Sequence, residues 1–207
     1  MTNTTKKHAS KTNVPVAVPL AIVGIGCLFP KANNPEEYWK NIREGVDAIT
    51  EVPKSHWKPE DYYNKDKNAT DMTYAHRGGF INQVDFDPLL YGLSPNNIEA
   101  TDTTQLLGMV VARQALLDAG YSTTSDNTDG RSFNRNRTSV ILGVTGTLEL
   151  VIPLGARLGH PHWRKALAEA GVTKDVAEDV VQRISDSYVP WQENSFPGLL
   201  GNVAAGR

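Results

Sequence analysis

The stretch from Leu20 to Pro30, LAIVGIGCLFP, limits the possible fold more than any other part of the chain. Its apolar residues follow one another without the alternation typical of a half-exposed strand. The pattern predicts a strand buried on both faces of a mostly parallel sheet. Gly24 and Gly26 would let the backbone leave this strand sharply. The single cysteine, Cys27, comes directly after them, so the first question is whether it is a catalytic nucleophile.

Composition excludes several classes of function. With 21 basic and 23 acidic residues the net charge is -2, which gives no field that would gather nucleic acid or an anionic membrane. One cysteine cannot form an internal disulfide, and no apolar stretch is long enough to span a membrane. We therefore expect a cytoplasmic protein that binds no nucleic acid. The polar residues 1–17 are expected to form a flexible leader.

Two helices have clear capping signals. Asn34 and Pro35 predict the start of a helix that Gly45 ends, with Tyr38, Trp39 and Ile42 facing a sheet. Asp102, followed three residues later by Gln105, predicts a capping box and a second helix that reaches Ala119. The apolar residues of this second helix lie on nearly all of its sides, so we expect it to be buried in the middle of a layered fold.

The rest of the chain fits the same class. Residues 47–87 are irregular and rich in aromatic residues, which favours a functional or closely packed loop. Thr138–Thr147 predicts a second buried strand, so strands and helices follow one another as in an α/β fold. Leu148–Pro197 is predicted to be helical, with helices over Pro161–Ala170 and Lys174–Ser187. A turn at Phe196–Gly198 and a helix of small residues follow.

The candidate catalytic and metal-binding residues are weak. Cys27 has no lysine or arginine nearer than Lys31 and no histidine nearer than His8 in sequence, so we interpret it as a packing residue. His160 and His162 could chelate a metal, but no third ligand stands at helical spacing, which favours a surface turn. His56 and His76 lie in the aromatic loop without a serine or cysteine partner, which favours loop residues over catalytic bases.

The glycine motifs are also weak. Gly24-x-Gly26 lacks the third glycine of a dinucleotide-binding fingerprint, and the segment from Gly143 to Thr147 lacks the lysine of a phosphate-binding loop. We interpret both as glycines at the ends of strands. From composition, periodicity and spacing, the chain is a layered α/β domain without a complete catalytic constellation.

A run of short motifs in unbroken order nevertheless resembles a known family. They are IVGIGCLFP, NPEEYW, VDAITEVP, RGGF, VDFDPLLYGLSP, EATD and ALLDAGY. Together they resemble the start of a β-ketoacyl synthase (ketosynthase) domain of polyketide and fatty-acid synthases, over about residues 18–207. The later segments LGARLGHPHWRKALAEAGV and YVPWQENSFPGLLGNVAAGR are most similar to synthases of polyunsaturated fatty acids or glycolipid alkyl chains.

The resemblance implies a thiolase-like layered α/β fold, of which residues 18–207 would hold the first part of the N-terminal half. It implies a homodimer that performs decarboxylative Claisen condensation, with substrates carried on the phosphopantetheine of an acyl carrier protein. No cofactor or metal would bind directly to the enzyme. The nucleophilic cysteine, in an Asp-x-Ala-Cys-x-Ser motif, and two histidines are expected beyond Arg207, so no catalytic residue is assigned within this chain.

Two departures and two functional hypotheses follow. The family often has Asp-Pro-Gln-Gln where this sequence has Asp102-Thr103-Thr104-Gln105. Residues 148–197 exceed what many members have there and are interpreted as a helical insertion.

Under the first hypothesis the chain is the leading part of an active ketosynthase and is inactive without the remainder of that domain. Under the second it is a non-catalytic interaction subunit that completes a partner ketosynthase chain.

Overall fold

A computed structural model describes residues 19–122, 130–145 and 149–206. Its helices and strands, in chain order, are α1 (Pro35–Glu44), β1 (Ile49–Glu51), α2 (Pro59–Tyr62), β2 (Arg77–Gly79), α3 (Thr103–Asp118), α4 (Val151–Glu169), α5 (Lys174–Asp186) and α6 (Ser195–Leu199). Short 3₁₀ helices span Pro88–Tyr91, Pro95–Asn97, Arg135–Arg137 and Gly201–Gly206. The predicted leader at 1–17 lies outside the described residues.

The first helix begins and ends where its capping residues predict. The Asn34 side chain accepts a hydrogen bond from the backbone N–H of Glu37 at 2.8 Å, and Pro35 is the first helical residue. Gly45 closes the helix at φ 63°, a left-handed conformation that glycine adopts at little cost. The prediction that this helix packs its apolar face on a sheet is wrong among the described residues. The side chains of that face are exposed, namely Tyr38, Trp39 and Ile42.

A small sheet closes the aromatic loop that the sequence predicts at 47–87. β1 and β2 pair antiparallel, with Glu51 opposite Arg77. Within the loop, Trp57 and Tyr62 meet edge to face with ring centroids 6.0 Å apart. The loop therefore packs on itself, as its aromatic content predicts.

Both predicted core strands are wrong for this chain. Residues 20–25 have no regular secondary structure, and Leu20 and Ile22 are 95% and 86% exposed. The described part of the second segment, 138–145, is likewise irregular, and Ile141 is 92% exposed. A strand needs a neighbour to satisfy its backbone N–H and C=O groups. The described residues form a sheet of β1 and β2 alone, so neither segment has such a neighbour there.

The long helix α3 starts and stops as predicted. The Asp102 carboxylate accepts a hydrogen bond from the Thr104 backbone N–H at 2.9 Å, and Gly120 follows the helix at φ 76°. In the predicted capping box, Gln105 would accept the Asp102 backbone N–H, but this N–H donates to the carbonyl of Gly198 at 3.1 Å. Burial on several sides is also wrong. Most of α3 is half-buried, and Gln105 is the one residue of the helix that is buried.

The helices α4 and α5 form a hairpin. The predicted start of the first helix at Pro161 is wrong, because α4 begins ten residues earlier and contains this proline in its interior. A proline inside a helix removes one backbone hydrogen bond, and here the helix continues past it. α5 ends within one residue of its predicted bound. Its buried residues are Ala177 and Val181, whereas Val176 is 53% exposed.

The last described segment turns back towards α3. Phe196–Gly198, predicted to be a turn, lies within the single-turn helix α6. The small residues that follow form the 3₁₀ helix Gly201–Gly206, which contacts α3. Among the described helices, none has the length and apolar character needed to cross a membrane.

Candidate functional site

Cys27 lies beside α3 and is half-buried. Its backbone N–H donates to the Gln114 side-chain oxygen at 3.0 Å. Burial raises the pKa of the Cys27 thiol, and the negative charge of Glu36 raises it further. A nucleophilic cysteine requires the opposite shift, because the thiolate is the reactive form. The geometry therefore keeps this thiol protonated at neutral pH.

Two glycines bring the segment before Cys27 directly against the backbone of α3. A Cβ atom on Gly24 would lie 2.2 Å from the carbonyl oxygen of Ala115, and one on Gly26 would lie 2.4 Å from that of Val111. Both distances are far below van der Waals contact. The Ile25 backbone N–H adds a hydrogen bond to the Asp118 carboxylate at 2.8 Å. These glycines therefore allow close packing on α3. The sequence predicted them instead to be glycines at the end of a strand.

The four histidines among the described residues do not converge on a site. His76 contacts the Glu51 carboxylate at 2.9 Å, and its ring packs on Tyr63. His56 packs edge to face on Phe80. These contacts agree with the interpretation of both as loop residues.

The helical histidines offer no metal site either. His160 packs on Trp163 within α4, so it lies in a helix and not in the predicted surface turn, and His162 is exposed. Within 19–122, 130–145 and 149–206 there is no group of three His, Cys, Asp or Glu side chains that could hold a metal ion. The glycine segment at Gly143 lies partly outside the described residues, and a Cβ on Gly143 itself would meet open space.

A polar contact that the sequence did not predict lies at the start of α3. The Gln105 side chain is buried, and its amide nitrogen donates to three backbone carbonyls, those of Pro197 at 3.2 Å, Gly198 at 2.8 Å and Leu200 at 3.1 Å. A Cβ on Gly198 would lie 1.8 Å from the carbonyl oxygen of Ala100. The segment around α6 is therefore held on α3 by both hydrogen bonds and close backbone contact.

An open groove of about 540 Å³ lies beside α3 and is lined in part by Val110, Arg113 and Gln114 of that helix. Phe86 and Tyr91 stack with centroids 4.7 Å apart and form one of its walls. Burial raises the pKa of Tyr91, and the positive charge of Arg113 opposes this in part. The Arg113 Nε atom is buried without a hydrogen-bond partner. No motif at these positions predicts a groove, because its residues come from two segments distant in sequence.

A family model described as "Beta-ketoacyl synthase, N-terminal domain" matches residues 17–190. The chain belongs to the β-ketoacyl synthase family. This confirms the resemblance in the motifs and the predicted class, a thiolase-like α/β fold present as a partial N-terminal segment. The helices and the small sheet of the described residues agree with such a segment.

Relatives of this ketosynthase segment are large synthases. It is 29% identical over 188 residues to a polyunsaturated fatty acid synthase subunit of Thraustochytrium sp., in an alignment that covers 91% of the segment and 6% of the relative. It is 42% identical over 130 residues to polyketide synthase PksN of Bacillus subtilis, covering 62% and 2%. A solved structure, the oxazolomycin ketosynthase domain OzmH KS7 of Streptomyces albus, overlaps 49% of the segment and 18% of that chain at 33% identity with a TM-score of 0.47. The segment thus spans a small fraction of each curated relative's length.

Replacing Gly26 by alanine should destabilise the ketosynthase segment by about 1–3 kcal/mol, because the new methyl group meets the backbone of α3 and the backbone cannot move aside cheaply. Gly108→Ala is the matched control. It lies in α3 with open space around its Cβ position and should raise stability by about 0.5–1 kcal/mol. Urea unfolding followed by circular dichroism measures both, and a loss no larger for Gly26→Ala than for Gly108→Ala would contradict the contact.

Alkylation of Cys27 should require a higher pH than that of an ordinary thiol. Because the pKa is raised by burial and by the charge of Glu36, the reactive thiolate forms only at higher pH. Iodoacetamide labelling as a function of pH, followed by mass spectrometry, reports this residue specifically since it is the single cysteine. Glu36→Gln should move the midpoint down, whereas Glu44→Gln at the other end of α1 should not. A midpoint at or below that of the urea-unfolded chain would refute the assignment.

Proposed function

We propose that this chain is the N-terminal part of a β-ketoacyl-[acyl-carrier-protein] synthase that catalyses decarboxylative Claisen condensation in fatty-acid or polyketide biosynthesis. The observation that carries the proposal is the family match over residues 17–190. Two relatives named as synthases of polyunsaturated fatty acids and polyketides support it. The acyl and malonyl substrates would arrive on the phosphopantetheine of an acyl carrier protein.

The exposed surface supports completion by further polypeptide. Among the described residues, many large apolar side chains are exposed, including those of 20–25 and 140–144 and the aromatic face of α1. Exposed apolar surface on this scale is typical of an interface. We infer that the remainder of the ketosynthase domain covers it, and that the complete enzyme is a homodimer.

The reactive groups are assigned to that remainder. A cysteine must accept the acyl chain from the carrier, and two histidines must stabilise the negative charge that develops during condensation. Cys27 is unsuited to this role because its pKa is raised. We therefore propose that the nucleophile and both histidines follow Arg207 in the complete enzyme.

The α4–α5 hairpin is proposed to be an insertion specific to a subfamily. The alignment with the polyunsaturated fatty acid synthase covers 91% of the chain, so it includes most of residues 148–197. This supports a hairpin shared with that synthase.

A second function is supported by the same exposed surface. A chain that completes a partner ketosynthase without performing chemistry would also present open apolar faces for that partner. The coding sequence after Arg207 separates the two. An Asp-x-Ala-Cys-x-Ser motif within a few dozen codons supports the enzyme, and a stop codon directly after Arg207 supports the interaction subunit.

The purified chain should form no β-ketoacyl product from acyl-carrier and malonyl-carrier thioesters, because it lacks the proposed nucleophile. A longer polypeptide translated from the same coding sequence through the two histidines should form it. Mass spectrometry of the carrier measures the product. The matched control is the longer polypeptide with the motif cysteine replaced by alanine, which should be inactive. Product formation by the 207-residue chain would overturn the proposal, as would an inactive, folded longer polypeptide that contains the motif.

A further inference from the structure

The contact between Gln105 and the end of α6 is the most extensive buried polar contact between segments distant in sequence that we find among the described residues. Some 92 to 95 residues separate Gln105 from the three carbonyls that its amide nitrogen reaches. The last carbonyls of a helix have no partner within the helix. In the single-turn helix α6, Pro197 accepts the Leu200 backbone N–H, and Leu200 accepts that of Val203, so these carbonyls have local donors and can accept a further one. Gln105 supplies such a donor from inside α3.

Two further contacts fix the same segment. The Asp102 backbone N–H donates to the Gly198 carbonyl at 3.1 Å. Gly198 approaches Ala100 so closely that no Cβ would fit. Ser195 and Gly198 are buried as well, so hydrogen bonds and close packing together hold the end of α6 on α3. The backbone N–H of Val203 then donates to Leu200, which begins the 3₁₀ helix Gly201–Gly206.

We propose that Gln105 is a positioning residue, whose amide fixes the direction in which the chain leaves α6 and enters the Gly201–Gly206 helix. A buried amide that reaches several carbonyls does this better than a single backbone donor, because one side chain contacts both α6 and the residue that follows it. For its catalytic consequence the inference rests on the proposed function: the polypeptide that carries the nucleophile would continue from this helix. The contact itself does not depend on that function.

The side chain at this position must be a donor. Glutamate has the same shape as glutamine but would place a carboxylate against three carbonyl oxygens, which repel it. Gln105→Glu is therefore the sharpest variant, and Gln105→Leu removes the hydrogen bonds without adding charge. Val181→Ala is the control, because this residue is buried within the α4–α5 hairpin and its loss destabilises the chain at another place.

Hydrogen exchange of the 207-residue chain tests the positioning directly. In wild type the Val203 amide should be protected, and Gln105→Glu should speed its exchange at least about tenfold because the local structure opens more often. Val181→Ala should speed exchange in α4 and α5 and leave Val203 unchanged. An unprotected Val203 in wild type, or equal exchange in Gln105→Glu, would overturn the inference.

In the longer polypeptide, the acylation rate of the nucleophile distinguishes a positioning role of Gln105 from a purely structural one. Gln105→Glu should lower the rate of acylation of the nucleophile by about tenfold or more, since small displacements of a reacting group have effects of this size, with the KM for the acyl carrier unchanged. A rate equal to that of Val181→Ala would overturn the catalytic consequence. If wild type is inactive while the exchange result holds, the proposed function fails and the positioning role stands.

Discussion

The fold depends on how closely the segment around Gly24 and Gly26 approaches α3. A hydrogen atom in place of a Cβ lets this segment lie on the helix backbone, where any larger residue would overlap a carbonyl oxygen. Two side chains of α3, Gln114 and Asp118, then bind the backbone of the same segment. Close packing and hydrogen bonding at one place define where residues 24–27 lie, and with them Cys27.

α3 holds distant parts of the chain at both of its ends. Its C-terminal half receives residues 24–27, and its first turn receives the end of α6 through Gln105 and Asp102. The apolar side chains that remain exposed include those of the segments 20–25 and 140–144 and of α1. An organised helix surrounded by uncovered apolar faces agrees with a partial N-terminal segment of a larger domain, which the family match identifies as a ketosynthase.

The sequence predicted the features whose causes are local. Asn34, Asp102 and the glycines after α1 and α3 act within one turn of their own helix, so their roles follow from sequence alone. The strands were predicted wrongly because apolar composition does not supply a neighbouring strand. Pro161 is typical of a helix start, but a proline also occurs inside a helix, as it does in α4.

The contacts of the site could not be predicted in the same way. Gln105 meets residues more than ninety positions away, and the groove beside Arg113 joins two separate segments. The motif Gly24-x-Gly26 was visible, but its partner on α3 was not. What identified the family was the order of many short motifs, each of which is uninformative when taken singly.

Solution NMR of the 207-residue chain tests the contact between the segment around Gly24 and α3. The Cβ position of Gly24 lies 2.8 Å from the Cβ of Ala119, so a strong nuclear Overhauser effect is expected between the Gly24 Hα and the Ala119 methyl group. Its presence, with helical chemical shifts across α3, would confirm that the segment lies on the helix. Helical shifts without this effect would show that α3 forms but that the segment does not pack on it, which would contradict the close contact of Gly24 and Gly26 with this helix.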